Sequence, residues 1–252
     1  NNYSIGRDRP DKNLTSKLSP YLHFGEISPL EIFKQITLSK KINNDNKSKF
    51  LAEIGWRDFS YNLLYHYPDM TKNPIQTKFN KFPWLKDNKN LKKWQKGFTG
   101  IPIVDAGMRQ LYETGWMHNR VRMIVGSFLT KNLLLHWKLG EDWFFDTLVD
   151  ADIASNSAGW QWISGCGADA SPYFRIFNPI LQGQKFDPNG DYVKKYIPEL
   201  KNVNNKFVHN PWEMSEENQL SSSCKIGKDY PSPIVDLKET RNRALSAFKT
   251  IS

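Results

Sequence analysis

At 252 residues, 39% of them hydrophobic, the chain can bury a sizeable core as one large domain or two small ones. Its 35 Lys and Arg against 26 Asp and Glu leave +9, which suits a polyanionic partner such as nucleic acid, although a Lys-rich and Asn-rich codon bias would give the same solvated surface. No apolar run approaches the ~20 residues of a membrane span, and two cysteines, Cys166 and Cys224, exclude a disulfide framework and fit a reducing cytosol.

The first 14 residues are polar and turn-like, as a linker would be, and residues 15–252 are expected to form one domain. The chain opens Asn1-Asn2 and is read as part of something longer. From Leu14 the apolar period becomes helical. LTSKLSPYLHFGEISPLEIFKQI holds two helix starts. The second, Ser28-Pro29-Leu30-Glu31, has a capping serine, proline at the first helical position and glutamate three residues after the cap. KSKFLAEIGWRDFSYNLLYHY keeps Phe50, Leu51, Ile54, Phe59, Leu63 and Leu64 at three-to-four spacing. Pro68 to Lys93 reads as loop, with Pro74, Pro83 and Trp84. Helices resume at IPIVDAGMRQLYETG, where Gly115 is a stop. They continue through WMHNRVRMIVGSFLTKNLLL and a short helix at EDWFFDTLVDADIAS. After Trp162 glycines and prolines make the chain irregular, Lys201 to Pro233 reads as another loop, and IVDLKETRNRALSAF closes as an amphipathic helix. Strand alternation, Asn-Gly hairpins and repeats are missing. The expected fold class is mainly α.

The usual catalytic motifs are missing as well: GxSxG, HExxH, CxxC, GxGxxG and the Walker loop. Five scattered histidines, His23, His66, His118, His136 and His209, argue against zinc chemistry. Other groupings fit a polar ligand. Asn119, Arg122 and Met123 share one helical face, which would be a poor core stripe but a reasonable wall for a heterocycle. Taken alone, an ordinary helix end with a charged face is the better explanation of them. Asp150 is placed to pair with Arg122, while Asp152 and Asn156 are i, i+4 neighbours; an acidic first turn explains the carboxylates but not Asn156. Thr15, Ser16 and Ser19 cluster at a helix start, where hydroxyls and free N–H groups favour an anion, although a simple N-cap accounts for one of them. SNSAGWQWISG sets Trp160 and Trp162 among small residues. Two apart on a helix, they point about 200° apart. The small residues either admit a second core ring or keep space for something that is not protein.

TSKLSPYLHFGEISP, WRDF, GIPIVDAGMRQLYETGWMHNRVRM, SFLTKNLL, DADIASNSAGWQW and GADASPYFRIFNPILQGQKFD occur in this order. Together they resemble the FAD-binding C-terminal domain of class I photolyases, in the photolyase/cryptochrome family, from about Tyr3 to the last helix. The resemblance implies a helical bundle holding U-shaped FAD, active when reduced, without the family's N-terminal α/β domain and its antenna chromophore. It implies that Tyr3, Thr15, Ser16, Lys17, Leu18 and Ser19 hold the pyrophosphate. Phe50 also belongs to the cofactor set; some relatives carry Trp there, and Phe keeps the ring but loses the N–H donor. Asn119, Arg122, Asp150, Asp152 and Asn156 match the flavin wall, Asn156 facing flavin N5, where plant cryptochromes carry Asp and animal cryptochromes Cys. Ser157, Ala158 and Gly159 leave room for the isoalloxazine.

The same resemblance implies the substrate. Enzymes for (6-4) lesions carry histidines where this chain has Asn119 and Met123, so these two resemble the cyclobutane-dimer enzymes. Glu53, Trp56 and Arg57 match residues touching a flipped lesion, Glu53 hydrogen-bonding to the dimer if protonated. Trp162 lines that pocket. Arg7, Arg120, Arg175 and Gln182 match DNA contacts. Trp160, Trp137 and Trp84 resemble an electron-hopping triad. The implied activity is light-driven repair of cyclobutane pyrimidine dimers, a carbon–carbon lyase reaction, with Glu53, Asn119, Met123 and Asn156 at its centre. UV-damaged DNA is the expected partner. The expected state is a monomer with no membrane association, cytoplasmic and nucleoid-associated in a bacterium. The rival readings are a cryptochrome-like FAD photoreceptor and a basic helical DNA-binding domain without cofactor.

Overall fold

Local start and stop signals set the helices of the computed structural model, which describes residues 2–173 and 175–251. A single turn, α1 (Tyr3–Gly6), is followed by α2 (Ser19–His23). Then α3 (Pro29–Leu38) begins at Ser28, whose Oγ accepts from the Glu31 N–H at 3.0 Å, as the capping pattern requires. Next α4 (Asn44–His66) is capped by Asn43. Asp87 caps α5 (Asn88–Lys96), and α6 (Pro102–Thr114) stops at Gly115, in the left-handed region at φ 66°. The pair α7 (Asn119–Ser127) and α8 (Trp137–Thr147) is separated by a π-helical turn, Phe128–Asn132. Asp152 caps α9 (Ile153–Ser164). There follow α10 (Pro179–Phe186), α11 (Asp191–Tyr196), α12 (Glu216–Ser221) and, capped by Asp236, α13 (Leu237–Lys249). Two isolated bridges, Leu85 with Leu135 and Ile226 with Tyr230, are the β pairing found among the described residues. The mainly α expectation holds.

The middle of the chain forms the core. Trp94, Val121, Val125, Phe128, Leu129 and Trp137 are fully buried between α5, α6, α7 and α8, and α9 packs across α4, α7 and α8. Asp105, completely buried in α6, accepts from Thr99 N, Thr99 Oγ1, Gly100 N and the Tyr230 hydroxyl at 2.6–2.9 Å. These four donors compensate its desolvation and tie the C-terminal loop to the start of α6. Both cysteines are buried free thiols.

Several local expectations need correction. EDWFFDTLVDADIAS is not one helix: α8 ends at Thr147, and the Asp152 carboxylate caps the next helix instead of lying inside one. The stretch read as loop to Lys93 contains α5. Its nine residues hold only Leu91 and Trp94 as large apolar anchors, too few to show a period. The helical reading of WMHNRVRMIVGSFLTKNLLL holds only from Asn119 to Ser127: Trp116 to His118 lead into the helix as extended chain, and after Ser127 the π turn takes over. The start of the chain lies against the helices that follow: α1 packs on α4, and the Ser4 N–H donates to Asn46 Oδ1 at 2.7 Å. In α4 the apolar series is not a core stripe. Leu63 is buried, Phe50, Leu51, Ile54 and Leu64 are half-buried, and Phe59 is exposed, because much of this helix borders open space.

Candidate functional site

That space is a cavity of about 630 Å3 walled by α1, α4, α7, α9 and the segments 15–19 and 150–152. The volume falls in the range of small-molecule sites. Arg122 and Asp150 anchor one side. The Arg122 guanidinium donates to Asp150 Oδ2 at 2.9 Å and to the Met117 carbonyl at 2.8 Å, and Ser19 Oγ donates to the same Asp150 oxygen at 2.5 Å. The expected Arg122–Asp150 pair is therefore present, and it also fastens the hydroxyl segment to α7. Lys17 has φ 53°, the left-handed region that costs a side-chain-bearing residue free energy, and its ammonium lies 5.5 Å over the Trp116 ring.

α9 supplies the facing wall. Asn156 Nδ2 donates to the Glu141 backbone carbonyl at 2.9 Å, which leaves the amide oxygen as the end available to a ligand. Ser157, expected to make room, does not border the cavity: it is fully buried and its Oγ donates to Glu141 Oε1 at 2.5 Å, because it lies on the side of α9 turned toward α8. Ala158 and Gly159 do border it, and a Cβ built on Gly159 meets nothing within 4 Å. Trp160 also borders the cavity, but its ring runs back into α8: a Cβ on Gly140 would lie 2.1 Å from its Cη2, so glycine at 140 is what lets α8 accept the ring. Trp160 is in ring contact with Trp94 and Phe144, with centroids 6.2 and 5.0 Å apart. Trp162 is half-buried on the cavity side.

At the mouth, Arg7 pairs with Glu53, so a ligand reaching Glu53 must share it with a guanidinium. Arg57 lies 4.7 Å over the Tyr61 ring, and the Tyr61 hydroxyl bonds to Asp152, a contact that raises the phenol's pKa. Arg120, expected as a DNA contact, donates to Asp8 Oδ1 at 2.7 Å and stacks 4.4 Å over Phe186 while still edging the cavity.

Most of the sequence-derived candidates meet here. Tyr3, Thr15, Ser16, Lys17, Leu18 and Ser19 line the cavity, as do Arg7, Glu53, Trp56, Arg57, Asn119, Arg120, Arg122 and Met123, then Asp150, Asp152, Asn156, Trp160 and Trp162. Phe50 does not; its ring stands edge-on behind Tyr3 at 5.1 Å. Arg175, exposed, and Gln182, half-buried, lie outside the cavity wall. Trp137 is fully buried and Trp84 half-buried; His136 lies between them, 5.4 Å from the first ring and 5.3 Å from the second. Asp8, Trp116, Phe144 and Gln161 also line the cavity, and the sequence reading missed them. Trp116 sits within the quoted TGWMHNR, so its position was the available signal.

Among the described residues, three polar side-chain atoms at this cavity are buried without a protein partner: Asp150 Oδ1, Trp160 Nε1 and Arg120 Nε. One is an acceptor and two are donors. Each left so costs about 1–3 kcal/mol, and a ligand carrying both kinds of group relieves that cost. With cationic Lys17, Arg120 and Arg122 nearby, a ring system bearing amide groups and phosphates fits this set. FAD is such a molecule.

The fold and the cavity together define a helical flavin-binding domain. Residues 50–250 match the family model described as the FAD binding domain of DNA photolyase, and the chain belongs to that family, within the photolyase/cryptochrome group. It is 52% identical over 250 residues to a deoxyribodipyrimidine photo-lyase of Agrobacterium fabrum, covering 99% of this chain and 52% of that protein. A solved bacterial class III photolyase from Agrobacterium tumefaciens superposes with a TM-score of 0.97 at 52% identity, over 99% of this chain and 52% of that one. A Synechocystis cryptochrome superposes at 0.92 with 35% identity, over 98% and 51%. The chain thus spans about half the length of the curated relatives it matches. No helix among the described residues is long and apolar enough to cross a membrane.

Proposed function

We propose that this chain carries light-driven repair of cyclobutane pyrimidine dimers in DNA. The observation behind this reading is the continuity of one cavity. The flavin-type wall of Asn156, Asp150 and Arg122 opens directly onto a mouth bearing Trp56, Trp162, Glu53, Asn119 and Met123. Bound and fully reduced, FAD supplies on illumination the one electron that splits the dimer, and recovers it afterwards. The protein's work is then binding and positioning. Arg122 and Asp150 hold polar ligand groups, and the Asn156 amide, fixed by the Glu141 carbonyl, presents oxygen to the ring. Trp56 and Trp162 offer faces on which an extruded dimer stacks. Arg57 approaches the extruded dimer beside Glu53 and Trp56, while Arg7, Arg120, Arg175 and Gln182 approach the DNA. No nucleophile is needed, in keeping with the missing catalytic motifs.

The deoxyribodipyrimidine photo-lyase name of the Agrobacterium fabrum relative supports this reading, as does asparagine at 156. The class I placement rests on motif order, while the superposed class III photolyase shares 52% identity; the chemistry proposed is common to both. Residues 1–14 act as the incoming linker whose first turn closes one side of the site, and residues 15–252 as the working domain. The chain acts as a monomer on UV-damaged DNA, in a bacterial cytoplasm. A second reading, a signalling photoreceptor, draws on the Synechocystis cryptochrome likeness.

The test is dimer loss from irradiated oligothymidine under blue light, with the full chain loaded with reduced FAD. Light-dependent loss that disappears in Trp162→Ala and Met123→Ala supports repair. Stable flavin binding and photoreduction without any dimer loss would assign the chain to the photoreceptor class.

A further inference from the structure

Helix α5 carries Lys89, Lys92, Lys93 and Lys96, and Lys86 stands just ahead of it. Residues 86–96 hold five lysines against one carboxylate, Asp87. That carboxylate is occupied as the helix cap, accepting from the Asn90 N–H at 2.9 Å and from Asn90 Nδ2 at 2.7 Å. At about 100° per residue, the four helical lysines fall within an arc of about 100°. Leu91 and Trp94 take the opposite side, where Trp94 is fully buried and its Nε1 donates to the Val125 carbonyl at 3.1 Å. Packing therefore turns the lysines outward: Lys89, Lys92 and Lys96 are exposed and Lys93 is half-buried. Among the described residues no carboxylate forms an ion pair with any of the five.

Helix stability does not call for this arrangement. Lys89 faces Lys92 and Lys93 at three and four residues, and Lys96 faces the same two, so like charges repel along the whole face. The helix dipole favours Lys93 and Lys96 in the last turn but opposes Lys89 in the first, which holds no acidic residue. The face is a self-repelling array that anions would relieve. It is also separate from the cavity. None of the five lysines lines that space, and Trp94, on the inner side of α5, is in ring contact with Trp160, which does. Two tryptophan rings thus lie between the lysine face and the proposed flavin wall.

The four cations span about 10 Å of helix, close to the ~12 Å width of a DNA major groove flanked by its two rows of phosphates. Lysines act on phosphate as point charges and need no fixed geometry. We propose that the outer face of α5 is a second DNA-binding surface, on which Lys89, Lys92, Lys93 and Lys96 hold the phosphates of an undamaged duplex whatever its sequence, while the cavity mouth engages another segment. The choice of DNA as the polyanion rests on the repair reading; the unpaired array does not. Such a surface holds the chain on DNA between lesions and hands it from one segment to the next.

Uptake of a short, fluorescently labelled, undamaged duplex by the FAD-loaded full chain in the dark tests it. At low salt the wild type should take up one duplex more per chain than a variant combining Lys89→Gln, Lys92→Gln, Lys93→Gln and Lys96→Gln. In that variant the slope of log K against log salt should be shallower by about 3. A control combining Lys225→Gln, Lys228→Gln, Lys238→Gln and Lys249→Gln removes the same charge from exposed positions elsewhere and should keep the wild-type uptake and slope. None of these lysines forms an ion pair, so both variants should fold, and the α5 variant, relieved of repulsion, should melt no lower than the wild type. Equal uptake by the wild type and the α5 variant overturns the proposal. So does an equal loss in the α5 variant and the control, which would leave only a diffuse basic surface. The probe carries no lesion, so failure of the repair reading would show separately, as absence of dimer loss under light.

Discussion

Replacing Gly159 with alanine and then with leucine separates the fold of α9 from the purpose of the space beside it. Gly159 is interior to the twelve-residue helix Ile153–Ser164, where glycine is about 1 kcal/mol worse than alanine. A Cβ there meets nothing within 4 Å, so no clash offsets that gain. The flavin-free alanine variant should be more stable by about 0.5–1 kcal/mol, a rise in Tm of roughly 1–4 °C for a chain of this size. Leucine keeps nearly the same helix gain but fills the cavity between Asn156 and Trp162. It should fold, and bind FAD one to two orders of magnitude more weakly, as about 1–3 kcal/mol of overpacking implies. Scanning fluorimetry without flavin and titration of FAD fluorescence measure the two effects. An intact leucine variant with undiminished FAD affinity, or a flavin-free alanine variant that melts lower, would refute the assignment of this wall.

Removing either member of the Arg122–Asp150 pair should destabilise the protein unequally. The Asp150 side chain is 2% exposed and Arg122 24%, so Arg122→Leu, which strands a buried carboxylate, should cost about 3 kcal/mol in urea unfolding and Asp150→Asn less; equal costs would contradict the geometry. His118 caps α7 through Nδ1 and is buried, which lowers its pKa from 6.5 to about 4. The unfolded chain therefore takes up a proton that the folded chain refuses. The stability this group contributes is full above pH 6.5 and is lost as pH falls toward 4, by up to roughly 3 kcal/mol. His118→Asn keeps a capping side chain and should flatten that part of the stability–pH curve. Arg175→Ala should weaken DNA binding similarly on all sequences and reduce the slope of log K against log salt by about 1.

Capping boxes, glycine stops and three-to-four spacing are local devices, which is why α3, α6 and α13 could be read from the chain directly. The grouping of Asn119, Arg122 and Met123 on one face of a single helix, with Asp150, Asp152 and Asn156 within seven residues of one another, could be read in the same way, but that these groups face one cavity could not. What escaped depends on neighbours distant in sequence. Serine at 157 looks like a spacer until Glu141 comes across from α8 to take its hydroxyl, and glycine at 140 looks like a weak point in a helix until the Trp160 ring occupies its missing Cβ. The polar opening residues read as linker, yet they lie on α4 and complete the cavity. Composition and local order thus decided the helical class, the basic charge and which polar side chains stand close together in the chain. Only packing decided which small residues border empty space and which lie under a ring, because burial and unmet hydrogen bonds belong to atoms brought together from far along the chain.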